Sequence, residues 1–246
     1  MRIAYRGLFG AVERIDKCIN YLFKLMIVPL VLIGAYALYD QGQLELGAIK
    51  AASLAKDYVD ETEDSVDFEA LLEQNADVVA WLRIPDTNID FPVMRGSDNS
   101  YYLSHGFSRD YEITGGIFLD YRNKGDFTDD FSVIYGHRMS SGRMFSDVGK
   151  FEDKEFFNNH REAALYLPGQ KLRLIFVAFA SVYGVQGEIY NIGAFRKDES
   201  VAKVLENASI IEDEPIGSAS RFILLSTCST KEQAKRDVLL AVVEKW

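Results

Sequence analysis

FILLSTCSTKEQAKRDVLLAVV, residues 222–243, is the stretch that decides the fold, because it holds two apolar β-rich runs joined by a seven-residue connection. The first run ends in two hydroxyl residues followed by Cys228, and the second run begins at Arg236. A short connection lets consecutive strands lie side by side in a sheet. We therefore expect Cys228 and Arg236 to reach one point on the surface of the fold.

Runs of the same kind extend back to Val78, separated by clusters of Gly, Pro, Asp and Asn. They are WLRIPDTNIDFPVM (81–94), GGIFLDYR (115–122), FSVIYGHRM (131–139), ALYLPG (164–169) and KLRLIFVAFASVYG (171–184). Helical insertions are expected around residues 144–160 and 198–208. Many short strands with few helices predict a mainly β fold, a closed or nearly closed β-barrel over residues 78–246.

Residues 40–77 are predicted to be a helical preface to this barrel. The segment QLELGAIKAASLAKDYV (43–59) spaces its apolar residues as an amphipathic helix does. An acidic stretch, DETEDSVD (60–67), follows it, and Asp67 is placed to cap a second short helix, FEALLEQN.

The N-terminal region has the pattern of a membrane anchor. Residues 25–39, LMIVPLVLIGAYALY, carry no charge, and extension back to Cys18 gives enough length for a full span. Residues 1–39 contain five basic and two acidic side chains, so the positive-inside rule predicts a cytoplasmic segment 1–17, a span 18–39 and an extracellular body. Two alternatives are a buried core helix and a signal peptide cleaved after the small-x-small run 35–37.

Composition limits the classes of function. A chain of 246 residues with 48% hydrophobic residues can bury a large core, and its net charge of −10 argues against nucleic acid as a partner. Of the two cysteines, Cys18 lies at the cytoplasmic edge of the predicted span and Cys228 lies outside the cell, so a bilayer separates them. Cys228 is therefore an unpaired thiol in an exported domain, which is unusual.

Cys228, His137 and Arg236 form the candidate catalytic group. A thiolate is the attacking species, a nearby imidazolium favours it, and the same imidazole can protonate a leaving amine. A fixed guanidinium can stabilise the oxyanion that forms on the attacked carbonyl. No Asp or Asn that orients His137 can be assigned, and each of the three residues also has a purely structural interpretation.

No metal or cofactor is expected. The other histidines, His105 and His160, are expected on the surface in loop or helix contexts, and the chain has no CxxC or HExxH spacing. The acidic residues Asp126, Asp129 and Asp130 lack the spacing of a calcium loop and are interpreted as a solvated loop.

Two segments resemble the signatures of the sortase family. LLSTC (224–228) followed by Arg236 is similar to the sortase cysteine and arginine motif, and VIYGHRMSSGRMF (133–145) is similar to the histidine motif. The resemblance covers residues 78–246. The helical preface and the helical insertion before LLSTC resemble class B sortases of Gram-positive bacteria in particular.

This resemblance implies a membrane-anchored cysteine transpeptidase on the cell-wall side of the membrane. Such an enzyme cleaves the C-terminal sorting signal of a surface protein and passes the acyl group to an amine of peptidoglycan. The implied intermediate is a thioester on Cys228, with His137 as acid and base and Arg236 holding the substrate carbonyl and oxyanion.

The class B pattern also implies that Asn99, Leu103 and Ser226 line the groove for the signal peptide. Ser229, after the cysteine, departs from the acidic or larger residue common at that position, which puts detail on the substrate side in doubt. A cell-wall cysteine peptidase, a pilus-polymerising sortase and a non-catalytic surface module are the alternatives. The sequence of the sorting signal and the identity of the amine stay open.

Overall fold

A computed structural model of the chain describes the backbone of most residues. The described residues are 2–139, 141–183, 189–190, 192, 197–212, 221–228 and 234–245, with side chains for all of these except residues 2–11, 55–56, 197–198, 228 and 245. The chain divides into two compact units, Met1–Leu44 and Glu45–Trp246.

A single helix, α1 (Arg2–Tyr58), contains both the apolar run and the amphipathic segment that follows it. The span and the first preface helix, expected as separate elements, are therefore continuous, because only Gly42 weakens the helix between them and no proline does. Within the described residues, Val12–Leu54 is the one segment long and apolar enough to cross a membrane. The side chains of residues 12–39 are exposed, with Val31 62% and Leu32 64% accessible, which is not the environment of a buried core helix.

The rest of the preface consists of a small hairpin and a short helix. Strands β1 (Val59–Asp60) and β2 (Ser65–Val66) pair across the acidic stretch, which the sequence did not predict. Helix α2 (Phe68–Gln74) follows, and the side chain of Asp67 accepts a hydrogen bond from the Ala70 amide, as expected of an N-cap.

Nine further strands form one sheet in the described part of the chain. They are β3 (Val78–Arg83), β4 (Asp90–Met94), β5 (Ile117–Leu119), β6 (Phe131–Tyr135), β7 (Glu162–Leu167), β8 (Gln170–Tyr183), β9 (Ala208–Ile211), β10 (Arg221–Cys228) and β11 (Lys235–Lys245).

Eight of these nine described strands close into a barrel. Their order is β11-β10-β6-β5-β4-β3-β7-β8, and β8 pairs with β11 to complete the ring, while β9 extends the sheet from β8. The β10–β6 and β4–β5 pairs are parallel and the other pairs are antiparallel. The predicted closed barrel is confirmed.

Helical elements interrupt the barrel at both expected places. A 3-10 helix (Phe145–Glu152) and α3 (Lys154–Asn159) lie between β6 and β7, and α4 (Lys197–Glu206) lies between β8 and β9. A further 3-10 turn, Tyr101–Leu103, lies between β4 and β5.

Strand β10 is buried on both faces. Phe222 and Leu224 belong to a core cluster that includes Val204 of α4, while Ile223 and Leu225 are equally buried. Successive residues of a strand point to opposite faces, so both faces are covered. This burial explains why the run is continuously apolar instead of alternating, and it fixes the end of the strand that carries Cys228.

Candidate active site

The end of β10 and the start of β11 bring two of the candidate residues together. Cys228 and Arg236 are Cα partners in the antiparallel β10–β11 pair. The side chain of Cys228 lies outside the described residues, so the strand pairing locates this residue by its backbone alone. The juxtaposition is set by strand register, which is rigidly specified where both strands are buried.

The third candidate, His137, follows the neighbouring strand β6. Strands β6 and β10 are parallel, with Tyr135 opposite Ser226, and the Gly136 amide donates to the Ser226 carbonyl at 3.1 Å. His137 stands two residues beyond Tyr135, as Cys228 stands two residues beyond Ser226. The backbones of His137 and Cys228 therefore lie at equivalent positions just beyond the last paired residues of adjacent parallel strands.

The imidazole of His137 is held by a main-chain carbonyl. Its Nε2 lies 2.9 Å from the carbonyl oxygen of Leu103. A carbonyl oxygen can only accept, so Nε2 carries the proton in this hydrogen bond and Nδ1 is the atom that gains or loses a proton. The orienting group that could not be assigned from sequence is thus a backbone oxygen.

That carbonyl is fixed by a buried tyrosine. Leu103 ends the 3-10 turn whose central residue, Tyr102, is fully buried. The Tyr102 hydroxyl donates to Asp77 at 2.7 Å, and the Tyr102 carbonyl accepts from the Gly116 amide at 2.9 Å. Burial, together with the hydrogen bond to Asp77, raises the pKa of Tyr102 to about 12, so the hydroxyl stays protonated and continues to donate.

Gly115 lies directly beneath the turn and the histidine. Its φ of +58° is in the left-handed region that favours glycine. A Cβ at this position would stand 2.5 Å from the carbonyl oxygen of Tyr102, 2.8 Å from the carbonyl oxygen of Leu103 and 3.0 Å from Cδ2 of His137. The close approach of the turn to the imidazole therefore depends on a residue without a side chain.

An open groove of about 280 Å³ runs over these elements. Its lining residues are Asn99, Leu103, Phe118, Tyr135, Gly136, His137, Tyr190, Ser226, Thr227 and Arg236. Five of the six residues singled out in the sequence therefore share one groove, and the sixth is Cys228, whose side chain is outside the described residues.

Four side chains of the groove were not singled out by sequence reasoning: Phe118, Tyr135, Tyr190 and Thr227. Tyr135 precedes the GH pair of the histidine motif, and its position in that motif was an available signal. Phe118 lies in an ordinary apolar strand. Tyr190 lies in the connection between β8 and α4, where no pattern in the sequence marks it.

Asn99 is bound at both ends of its amide. Its Nδ2 donates to Asp120 at 2.8 Å, and its Oδ1 accepts from the Tyr121 amide at 3.0 Å. Among the described residues, these two contacts leave the second N–H and the second lone pair of this amide for a substrate. Asn99 therefore joins the groove to a carboxylate behind it.

That carboxylate, Asp120, has a fully buried side chain and is ion-paired. The Nε and Nη2 atoms of Arg122 donate to its two oxygens at 2.8 Å each. Burial alone would raise the pKa of Asp120, but the hydrogen bonds from Arg122 and Asn99 outweigh it and hold the pKa below its usual value. Asp120 is therefore a charged acceptor. The Tyr135 hydroxyl donates to it at 3.1 Å, and burial together with this charge raises the pKa of Tyr135.

Ser226 and Arg236 meet the groove from the two C-terminal strands. Ser226 is 3% exposed, and its hydroxyl lies 3.0 Å from the hydroxyl of Tyr190. The partly buried guanidinium of Arg236 donates through Nη1 to the carbonyl of Lys235 at 3.1 Å. The arginine thus lines the groove at the start of β11, opposite Cys228 in the strand pairing.

The remaining histidines do not line this groove. The Nδ1 of His105 lies 2.9 Å from the Tyr101 carbonyl, and the Nδ1 of His160 lies 2.8 Å from the Phe156 carbonyl. Both rings are partly buried, and each is bound within its own segment.

The acidic loop between β5 and β6 uses its carboxylates for local turns. Asp126 accepts from the amide and hydroxyl of Thr128 at 3.1 and 2.7 Å. Asp129 accepts from the Lys124 amide at 2.8 Å. In the part of the chain that the structure describes, no group of three or more His, Cys, Asp or Glu side chains is arranged to hold a metal ion.

Comparison with known proteins finds no matching family model but clear relatives. The chain is 32% identical over 170 residues to sortase B of Listeria monocytogenes, which is 68% of each chain. It is 27% identical over 184 residues to sortase B of Staphylococcus aureus, covering 72% of this chain and 75% of that protein.

Solved structures show the same similarity. A class B sortase of Streptococcus pyogenes involved in pilus biogenesis has a TM-score of 0.67 and 31% identity, covering 73% of this chain and 98% of that one. Sortase B of Clostridium perfringens has a TM-score of 0.67 and 28% identity, covering 72% of this chain and 99% of that one.

Proposed function

This chain belongs to the sortase B family of cysteine transpeptidases, and we propose that it anchors surface proteins to the cell wall. In this proposal it cleaves a surface protein at a C-terminal sorting signal and transfers the acyl group to an amine of peptidoglycan. The observation that carries the proposal is the register pairing of Cys228 with Arg236, next to the strand that ends before His137.

The first half of the reaction forms a thioester. The Cys228 thiolate attacks the scissile carbonyl carbon, a C–S bond forms and the C–N bond breaks. The amine that leaves takes its proton from Nδ1 of His137, because Nε2 is committed to the Leu103 carbonyl. Arg236 donates hydrogen bonds to the oxyanion while the carbon is tetrahedral.

The second half reverses these roles. The acceptor amine attacks the thioester, a C–N bond forms and the C–S bond breaks. The acceptor nitrogen loses its proton to Nδ1 of His137, and the Cys228 thiolate is restored. The carbonyl of Leu103 supports both halves because it favours the same ring orientation in the neutral and the charged imidazole.

The groove residues Asn99, Leu103 and Ser226 are proposed to contact the sorting signal. All three line the groove that contains His137 and Arg236. Leu103 offers a side chain that is 46% exposed, whereas Ser226 is nearly buried, so an apolar contact at Leu103 and a directed hydrogen bond near Ser226 are expected.

The N-terminal region is proposed to tether the enzyme to the membrane. We assign residues 1–17 to the cytoplasm, residues 18–39 to the span, residues 40–77 to an extracellular preface and residues 78–246 to the catalytic barrel. The apolar, exposed part of α1 supports a span. A substrate held in the same membrane then meets the enzyme at a high effective concentration. A mature protein that begins near Leu38 would instead identify a cleaved signal peptide.

The experiment that tests the proposal is product analysis of the full-length protein in detergent. A library of fluorescent sorting-signal peptides is offered with and without an added peptide amine, and products are separated by mass. The proposal predicts a ligated product whose yield rises with amine concentration. It predicts no product from Cys228→Ala and at least a hundredfold loss of turnover for Arg236→Ala, about the loss of one oxyanion donor.

Two results would count against it. Hydrolysis that no amine can divert would favour a cell-wall cysteine peptidase. Near-wild-type turnover in Arg236→Ala would remove the arginine from the mechanism.

A further inference from the structure

A single buried carboxylate lies behind the groove and is shared by two of its walls. Asp120 follows β5, and its side chain has no solvent exposure. It accepts one hydrogen bond from Asn99, at 2.8 Å, and one from the hydroxyl of Tyr135, at 3.1 Å. Asn99 comes from the loop before the 3-10 turn and Tyr135 ends β6, so two separate elements are fixed by one acceptor.

The partner of this carboxylate connects a third element. Arg122 binds Asp120 in a bidentate pair, and its Nη2 also donates to the carbonyl of Tyr190 at 2.6 Å. The hydroxyl of Tyr190 lies 3.0 Å from that of Ser226 on β10. The ion pair thereby connects Tyr190 to the same carboxylate that binds Asn99 and Tyr135.

These contacts have a geometry that stability alone does not require. The Asp120 carboxylate is fully buried while Arg122 is 31% exposed, and removing a carboxylate from water is expensive even when it is paired. The donors that face Asp120 from outside its own loop, Asn99 and Tyr135, both line the groove. A charged acceptor holds these donors in fixed directions more strongly than a neutral one.

We propose that Asp120, paired with Arg122, is a positioning residue that sets the shape of the peptide-binding groove. Asp120 acts through Asn99 and Tyr135, and Arg122 acts through Tyr190. The inference rests on the proposed function of this groove, because it concerns how the sorting signal is bound. It assigns to the pair no contact with the reacting atoms.

The test is Asp120→Asn, which preserves size and removes charge. An amide can accept from one neighbour but presents its own N–H₂ to another donor, so the directions of Asn99 and Tyr135 change. For the full-length enzyme in detergent and a fluorescent sorting-signal peptide, KM is expected to rise roughly tenfold to a hundredfold, the range for hydrogen bonds to a charged group. The rate at which iodoacetamide alkylates Cys228 is expected to stay unchanged.

Asp126→Asn is the matched control. It makes the same chemical change in the same β5–β6 loop, on an exposed carboxylate whose hydrogen bonds are to the amide and hydroxyl of Thr128. Its KM and its alkylation rate are expected to equal those of the wild type. A purely nonspecific effect of lost negative charge would appear in this control as well.

Two milder variants are measured in the same assays if Asp120→Asn does not fold. Tyr135→Phe keeps the ring in the groove and removes one donor to Asp120. Arg122→Lys keeps the cation and removes the bidentate pair. Each is expected to raise KM by about tenfold, the loss of one charge-assisted hydrogen bond, with alkylation unchanged.

Loss of the positioning role and loss of the proposed function give different results. A folded Asp120→Asn with wild-type KM overturns the positioning role. So does a loss seen in kcat and in Cys228 alkylation with KM unchanged, because that would place Asp120 in support of the nucleophile. A wild-type enzyme that binds and processes none of the peptides would instead refute the proposed function.

Discussion

Replacing Gly115 with alanine tests how His137 is held, because the new methyl group would overlap the carbonyl that accepts the Nε2 proton. The Cβ would stand 2.8 Å from the Leu103 oxygen and 2.5 Å from the Tyr102 oxygen. Both are backbone atoms, so relief requires movement of the 3-10 turn itself. Cδ2 of His137 would also stand close to the same Cβ, at 3.0 Å.

The expected loss of stability in Gly115→Ala has two contributions. An L-residue in the left-handed region costs about 1–2 kcal/mol, and the φ of Gly115 is +58°. Overpacking against fixed atoms adds about 1–3 kcal/mol. The free energy of unfolding is therefore expected to fall by about 2–5 kcal/mol.

The expected loss of activity comes from the hydrogen bond to Leu103. A hydrogen bond to a charged imidazolium contributes about 1.5–3 kcal/mol, so its displacement predicts a fall in kcat of roughly tenfold to a hundredfold. KM for the peptide should change less, because only Leu103, of the three proposed peptide contacts, lies in the turn that must move.

Gly169→Ala is the control that separates backbone strain from steric overlap. Gly169 has a φ of +82°, and a Cβ there would meet nothing within 4 Å. This variant should lose about 1–2 kcal/mol of stability and keep the wild-type kcat. Turnover and urea unfolding of both variants, at a temperature where both are folded, complete the assay. Wild-type kcat in Gly115→Ala, or an equal loss of activity in Gly169→Ala, would show that the glycine does not act through the Leu103 carbonyl.

Three further predictions follow from named contacts. Asp67→Ala removes the N-cap of α2 and should lower stability by about 0.5–2 kcal/mol in urea unfolding, with unchanged peptide turnover. Tyr102→Phe removes the donor to Asp77. The looser turn at Leu103 should lower kcat by about tenfold in steady-state peptide turnover, and a wild-type kcat would show that this hydrogen bond does not position the Leu103 carbonyl. The pKa of Asp120 is lower in the folded protein than its unfolded value of 3.8. Its charge therefore stabilises the fold fully above that unfolded pKa, and this stabilisation is lost as pH falls through the lower folded pKa. Urea unfolding across acid pH should show a shallower acid decline for a folded Asp120→Asn than for the wild type, and equal slopes would contradict the pKa shift.

The sequence was most informative where the chemistry lies on consecutive strands. A seven-residue connection between two apolar runs predicted that Cys228 and Arg236 lie side by side, and their strands pair in that register. The Asp67 cap was also readable, because an N-cap acts on an amide only three residues away. The barrel followed from the alternation of short β-rich runs with turn residues.

Contacts between distant segments were not readable in the same way. The group that holds His137 is a main-chain carbonyl, which every residue has, so no residue type signals it. Asp120 and Arg122 are two residues apart in an ordinary charged loop, and only the folded chain brings Tyr190 to them. Leu103 was singled out as a groove residue, whereas the backbone oxygen beside its side chain makes the contact with the imidazole.

Intact-mass spectrometry of the acyl-enzyme is the sharpest test of covalent catalysis by Cys228. The full-length protein in detergent is mixed with a sorting-signal peptide, quenched in acid during turnover and digested to locate the adduct. We expect a mass increase equal to the acyl part of the peptide, located on Cys228 and discharged by an added amine. Cleavage of the peptide with no adduct on Cys228, or with an adduct on another residue, would contradict a thioester mechanism at this thiol.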